Sequence, residues 1–351
     1  MFFIINTITP SIVTLFQHTF FTTKNKVQYF SAGNDDLLYM IQYLEHHQLD
    51  KVKWDLCVQE SFNGIIYGYS WFLDLVSEEW DGLVENDYER VFPLTWKRKA
   101  FIHYLYQPFF TQQLGIFSRN PLDEETTNRF LEAIPDRYRL IEISLNSQNR
   151  VSARGFSIHN NLTHELALIE SYEQLTAGYS ENTTRSIRKA IKQDLTVQAD
   201  VKPDVVIRMF RQNRGRHIRT LKNPDYQRFH RLVYTCLHKG KAQVWGAYTP
   251  ENELCAGVIF LFSHNRAIFL FSGLNDYGRA NGAMPFLIDA FIKEYAQTYL
   301  TLDFEGSNDP DLARFYKSFG SREVTYPFIT RYRLPMMFRL LKKLRTAIRN
   351  R

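Results

Sequence analysis

Between Tyr299 and Glu305 apolar and polar residues alternate: Leu300, Leu302 and Phe304 fall on one side of an extended chain, Thr301, Asp303 and Glu305 on the other. The pattern predicts a strand carrying two carboxylates on one face, about 7 Å apart from a rise of ~3.4 Å per residue. Acids at the end of a buried strand could deprotonate an amine or hold an ammonium group. The same residues also allow an ion pair with neighbouring arginines. A second concentration of chemistry lies upstream. Arg185, Arg188, Lys189 and Lys192 recur at i, i+3, i+4 and i+7, which sets four positive charges on one helix face and Ile187, Ala190 and Ile191 on the other. No acid interleaves them, and Arg208, Arg211, Arg214, Arg216 and Arg219 continue the run. Like charges at i, i+4 destabilise a helix by roughly 0.2–0.5 kcal/mol per pair, a cost that an anionic ligand would offset. A solvated face is the plainer explanation of such a run.

In the first half, Tyr104, Tyr106, Phe109, Phe110, Gln112 and Gln113 make an aromatic, amide-rich stretch. Tyr106, Gln112 and Gln113 are candidates to line an acceptor pocket, although aromatic clusters of this kind also build cores. The tail from 334 to 351 puts Met337, Leu340, Leu341, Leu344, Ala347 and Ile348 on one helical stripe with basic residues elsewhere. That pattern suits a helix lying on a membrane surface, and equally a terminal helix docked on its own domain.

These residues need a large scaffold, and composition supplies one: 351 residues with 44% apolar and 15% aromatic content exclude a disordered chain and support two ordinary domains. The net charge of +6 conceals an uneven distribution. Arg185 to Arg231 carries +9 and Arg331 to Arg351 carries +8, so the remainder is at −11. Charge gathered in this way points to an anionic partner: a phosphate, an RNA backbone or a lipid surface. Cys57, Cys236 and Cys255 match no metal-ligand spacing and are expected to be buried, reduced thiols; no metal site is expected. The apolar N-terminus, Met1 to Phe21, lacks a basic leading segment and is broken by Asn6, Pro10, Gln17 and His18, so it makes neither an export signal nor a membrane span. A cytoplasmic protein is expected, with contact at the inner face of a membrane through the basic tail.

The elements that must position the candidates follow from periodicity. In the first half, strands are expected at Lys53–Gln59, Leu83–Asn86, Arg90–Trp96, His103–Phe117, Leu140–Leu145 and Phe156–Ile169, with helices from Ser70 to Trp80 and from Asp123 to Ile134. The second half opens with helices at Tyr172–Gln193, Asp204–Asn213 and Asp225–Lys239. A three-strand meander follows at Ala242–Tyr248, Leu254–Phe262 and Ala267–Leu274. It closes with a helix (Ala283–Gln297), a strand (Tyr299–Glu305), a short helix (Asp311–Phe319) and a last strand (Arg322–Tyr332). Four segments result: a leader, 1–53; a first half, 54–170; a second half, 171–333; and the tail, 334–351. The fold class is α/β (α+β), with a mixed, mostly antiparallel sheet flanked by helices in each half.

Leu302-Asp303-Phe304-Glu305-Gly306-Ser307-Asn308, followed by Ala313-Arg314-Phe315-Tyr316-Lys317-Ser318-Phe319-Gly320, resembles the closing segment of the GNAT acetyltransferases and of the Fem aminoacyltransferases. Asn182-Thr183-Thr184-Arg185-Ser186-Ile187-Arg188-Lys189-Ala190 is similar to the stretch that opens the second half of Fem proteins. Together the two bracket residues 182 to 320. The resemblance implies two tandem GNAT-like halves. It implies that Tyr316 protonates a leaving thiolate, with Glu305 and Asp303 as further catalytic candidates. It also implies that Arg279, Asn281 and Gly282, with Asn308, bind the donor, its phosphates resting on backbone N–H groups at a helix start. Met284 departs from that family's turn, which has Gly or Ala there. The implied reaction is direct acyl or aminoacyl transfer to the amine of a small molecule or peptide. Acyl-coenzyme A or aminoacyl-tRNA serves as donor substrate, and no cofactor is held permanently. Two alternatives remain open: an aminoacyl-tRNA-dependent transferase acting on a cell-wall precursor, and an inert module that keeps the fold to hold an anion.

Overall fold

In the computed structural model, residues 27–30 and 39–333 are described, apart from 100 and 219. The expectations for the tail, for most of the leader and for Arg219 lie outside the described residues. The chain divides into two compact units, one spanning Asn161–Thr325 and the other combining the chain up to Asn160 with Tyr326 onward. The boundaries therefore fall at 160/161 and 325/326 rather than at 170 and 333. Both lie inside strands, β8 (Ser157–Ala167) and β14 (Arg322–Tyr332), where periodicity runs on without a break.

The first unit orders its strands as β1 (Val27–Phe30), β2 (Tyr39–Leu44), β3 (Glu79–Glu85), β4 (Arg90–Lys99), β5 (Ile102–Leu105), β7 (Tyr138–Ser144) and the end of β14. The two-residue β6 (Phe117–Ser118) pairs with β4. Strands β2 to β5 form an antiparallel meander, and β7 lies parallel to β5 after α3 (Glu124–Glu132) has crossed over. Helices α1 (Lys51–Glu60) and α2 (Ser70–Val76) stand between β2 and β3. The expected strand at Lys53–Gln59 is thus a helix. The side chain of Asp50 caps it by accepting from the N–H groups of Val52 and Lys53. The apparent alternation of Val52, Trp54, Leu56 and Val58 misled because only Trp54, Cys57 and Val58, at i, i+3 and i+4, turn inward; Val52 is 80% exposed. Trp54 and Trp80 meet edge to face at 5.1 Å at the centre of this core. Trp80 belongs to β3, so the helix expected to reach it stops at Val76.

The second unit repeats the order of meander, helix and parallel strand. β9 (Thr196–Gln198), β10 (Ala242–Tyr248), β11 (Leu254–Ser263) and β12 (Arg266–Leu274) are antiparallel neighbours. The chain then passes through α8 (Asp276–Ala280) and α9 (Ala283–Tyr295) to β13 (Thr301–Asp303), which is parallel to β12 and antiparallel to β8. α10 (Pro310–Lys317) leads into β14. The helix expected over Tyr172–Gln193 is two helices, α4 (Tyr172–Ala177) and α5 (Glu181–Lys192). Gly178 ends the first and the Ser180 side chain caps the second, a Gly-then-Ser stop and start.

α6 (Pro203–Gln212) and α7 (Asn223–His238) cover one face of this sheet, with Phe210 and Phe229 packed on Phe271 at 4.5 and 4.6 Å. α9 and α10 cover the other, where Phe260 stacks on Phe291 at 3.9 Å and Phe269 meets Tyr316 at 6.0 Å. Phe269 and Phe271 share a strand yet face opposite sides. Phe260 pairs with Phe269 and Ile259 with Phe271, so Leu270 is an extra residue in the ladder. Such a bulge resets the alternation and re-aims the backbone.

Candidate functional site

β12 and β13 pair over only three residues, Arg266 to Ile268 with Thr301 to Asp303. β12 then runs on to Leu274, held on one side by β11, while the chain after Asp303 turns away. The turn is made by Glu305 and Gly306, whose φ angles of 53° and 63° are left-handed and end the strand that was expected to reach Glu305. The two strands therefore part, and one edge of β12 past Ile268 has no strand partner among the described residues. The bulge at Leu270 interrupts the ladder with β11 on the other edge, two residues past the last β13 pair.

The alternation places Asp303 with Glu305, but the turn separates their roles. Asp303 is 1% exposed, accepts from the Thr163 hydroxyl at 2.6 Å and pairs with Arg266 at 2.9 Å. The same guanidinium holds Glu165 at 2.6 Å. Burial pushes the Asp303 carboxyl up while Arg266 pulls it down. Asp303 is thus engaged in the ion pair that its sequence allowed. Glu305 and Tyr316 do come together. Both are buried, and burial first, then the charge of Glu305, raises the Tyr316 phenol above its usual range, whereas Arg214 acts the other way. Arg214, which leads a 3-10 turn (Arg214–His217), lies 3.8 Å from Asp309, the N-cap of α10. The Tyr316 ring stacks on Phe304 at 4.9 Å and 21°, which fixes the direction of the phenol. In the sequence Arg214 is only one member of a basic run; its approach to Asp309 and Tyr316 is a tertiary fact with no local signal.

Asn308 takes a positioning part, its Oδ1 accepting the Leu162 N–H at 2.9 Å. Beside it, Ser307 Oγ and His164 Nδ1 lie 2.9 Å apart, and burial holds the His164 imidazole below its usual pKa. The 305–308 turn is thereby tied to β8 through two side chains.

The remaining donor candidates meet the basic helix. Gly282 is the N-cap of α9 with φ 73°, and Ala283 and Met284 begin the helix with N–H groups that have no acceptor within it. A Cβ on Gly282 would stand 2.3 Å from the Ser186 carbonyl oxygen, so α5 packs directly against this helix start. The glycine is therefore demanded by the packing of α5 on α9, and a larger residue would disturb that packing before it reached any ligand. Lys189 Nζ donates to the Ala280 carbonyl at 2.6 Å. Arg185, Arg188 and Lys192 are exposed on the same helix, as is Arg279 on α8, while Asn281 is half-buried. The two expected groups, Arg279, Asn281 and Gly282 on one hand and the α5 cations on the other, thus form one locality. There the positive end of the α9 dipole is added to the basic residues of α5. Ile191 does not dock as its place in the pattern suggested; it is 56% exposed. Met284, where a small residue was expected, is buried in the core between α9 and the sheet.

The proposed acceptor residues belong to the first unit. Gln112 and Gln113 are buried and bonded to each other at 2.9 Å, with Gln113 Oε1 accepting from the Ser147 N–H at 2.9 Å. Gln113 thus ties the backbone at Ser147, and the Gln112 amide oxygen is taken by Gln113. Tyr106 is half-buried, 3.1 Å from the Ser77 hydroxyl, with Lys97 4.7 Å over its ring. All three cysteines are buried thiols, pushed up by burial to about 11 for Cys57 and Cys255 and about 12 for Cys236. No helix among the described residues is long and apolar enough to cross a membrane.

This unit combines a three-strand meander, a helix entered through a left-handed glycine, and a parallel strand that pairs briefly and departs. Residues 178–318 match the acetyltransferase (GNAT) domain family. That range lies within the second compact unit and runs from α5 to α10, the elements that build the site. Over a longer stretch the chain resembles FemX, with 13% identity and a TM-score of 0.59 across 84% of this chain and 98% of that one, a likeness of fold. A conserved protein of unknown function from Bacteroides thetaiotaomicron (10% identity, TM-score 0.48, 80% of this chain and 92% of that one) is also similar. So is L-PGS from Bacillus licheniformis (10%, 0.47, 85% and 96%). No curated protein sequence matches the chain. The expectation of a Fem-like fold containing a GNAT-type domain stands.

Proposed function

We propose that the GNAT unit, residues 161–325, receives an acyl donor where β12 and β13 part and passes its acyl group directly to an amine. The observation that carries this reading is the edge of β12 left without a strand partner past Ile268, on a strand whose ladder with β11 is bulged at Leu270. An extended, amide-bearing donor arm can add to such an edge as a short strand. An N–H re-aimed by the bulge can receive the oxygen that gains charge when the carbonyl is attacked. The donor's phosphates belong at the start of α9 beside Arg185 and Arg188. The amine nitrogen bonds to the acyl carbon and yields a proton to the Glu305 carboxylate; the bond to the donor's sulfur or oxygen then breaks, and the leaving atom takes the Tyr316 proton. The elevated phenol remains protonated at neutral pH, as a general acid must. The donor is acyl-coenzyme A or aminoacyl-tRNA, and the acceptor an amine-bearing small molecule or peptide. The basic tail from 334 would bring the chain to an anionic membrane face.

The test is a transfer assay with labelled acetyl-coenzyme A and with aminoacylated total tRNA against a panel of primary amines. Label should pass to an amine from one of the two donors and stay off the protein. A labelled, donor-free protein would contradict direct transfer.

A further inference from the structure

A groove of about 1010 Å³ runs between α6 and α7. Val206, Met209 and Phe210 of α6, and Phe229, Leu232 and Val233 of α7, are buried toward the sheet. The groove is lined by Arg208, Arg211 and Gln212 on α6 and by Gln227, Arg231 and the largely buried Tyr226 on α7. Phe210 and Phe229 pack on Phe271, on the sheet face turned away from Phe304 and Tyr316, so the sheet separates this groove from the α9 and α10 side of the unit.

Three guanidinium groups meet one carboxylate here. That carboxylate, Asp204, is already occupied: it accepts from the Tyr234 hydroxyl and lies 2.8 Å from His230 Nε2. Arg211 donates to Asn223 Oδ1 at 2.7 Å and rests 4.5 Å over the Tyr226 ring, so one guanidinium plane is held in place along the wall. Arg208 and Arg231 are exposed and make no ion pair among the described residues. A groove with a surplus of positive charge, one oriented fork and two uncommitted ones suits an anion with several oxygen atoms, because guanidinium groups bind phosphoryl oxygens in pairs. Its volume is that of a small-ligand site. The basic face of α5 lies with α9 across the sheet, so the charge is not one continuous track of the kind that a nucleic-acid backbone follows.

We propose that the α6–α7 groove binds a small organic phosphate carrying two or more phosphoryl groups, such as a nucleoside triphosphate, at a site separate from the acyl donor's.

ATP is the probe, titrated by calorimetry against the full chain, against an Arg208→Gln/Arg231→Gln variant and against an Arg185→Gln/Arg188→Gln variant, with pyrophosphate in parallel. All four positions are exposed, and thermal unfolding checks that each variant is folded. One ATP per chain is expected, weakened about tenfold or more per groove arginine removed and unchanged by the α5 substitutions; pyrophosphate should compete. The proposal is overturned if ATP does not bind, if it binds the groove variant as tightly as the wild type, or if the α5 substitutions are the ones that release it. An RNA hairpin that loses affinity in the groove variant, where ATP shows no binding, would overturn it in favour of a polyanion.

Discussion

Tyr316 and Glu305 are the two predicted catalytic residues that the fold brings together, and Tyr316 is the one that a single atom can test. Its ring is held by Phe304 and Phe269, so Tyr316→Phe keeps the stacking and removes only the hydroxyl. Turnover should fall by ~10²–10⁴-fold, as for loss of a general acid, with little change in melting temperature. An unchanged rate would remove Tyr316 from the mechanism and leave the fold intact. His164 offers a pH test. Burial lowers its pKa in the folded chain, so below the ordinary value of about 6.5 the unfolded chain binds a proton that the folded chain resists. Stability from this residue is complete above that pH and is lost as the pH falls through the depressed folded value. Denaturant titrations at pH 7.5 and 5.5 should show the acid loss in the wild type and a smaller one in His164→Asn. Equal losses would mean that other groups set the slope. The sequence showed Tyr316, Glu305 and the α5 cations because each lies in a local pattern. It did not show Arg214, Arg266 or His164, whose partners Asp309, Asp303 and Ser307 lie 95, 37 and 143 residues away in the chain.

Among the elements, the meander and the final strand were legible almost to the residue, because β11 and β12 have apolar runs bounded by turn residues and β10 and β14 are rich in β-branched and aromatic residues. α1 was not, since a helix with a narrow buried stripe mimics alternation over seven residues. The end of β13 was not either: the alternation continues through Glu305, while the backbone leaves the strand at a left-handed turn. The parting of β12 and β13 depends on that turn, and on Arg266 holding Asp303 and Glu165 where the strands still pair. Arg266→Met should cost about 3–5 kcal/mol in a denaturant titration, the usual penalty for stranding buried charges; a loss below 1 kcal/mol would show the cluster to be solvated. α5 allows the donors to be told apart. If its cations grip an RNA backbone at 6–10 phosphates, affinity should drop by ~10³–10⁵ between about 50 and 200 mM salt. Arg185→Gln/Arg188→Gln should then flatten the slope. A coenzyme A donor, with few phosphates, should show a shallow slope in both proteins. Lys189 is left in place in that variant, because it holds the Ala280 carbonyl.

At the scale of the molecule, two units each carry a meander, a helix and a parallel strand, and the expectation of that repeated order came from element sequence alone. Their boundaries were missed because the chain passes between units within β8 and β14, with no linker composition to mark the crossing. In the proposed mechanism an acyl donor occupies the free edge of β12 and the start of α9. Amide hydrogen exchange on the full chain, with acetyl-coenzyme A and with aminoacylated total tRNA, tests it most directly. Protection of 269–274 together with 282–286 by one of the two donors is the predicted result. Donor binding that leaves both segments exchanging as in the free protein, or no binding of either donor, would contradict it.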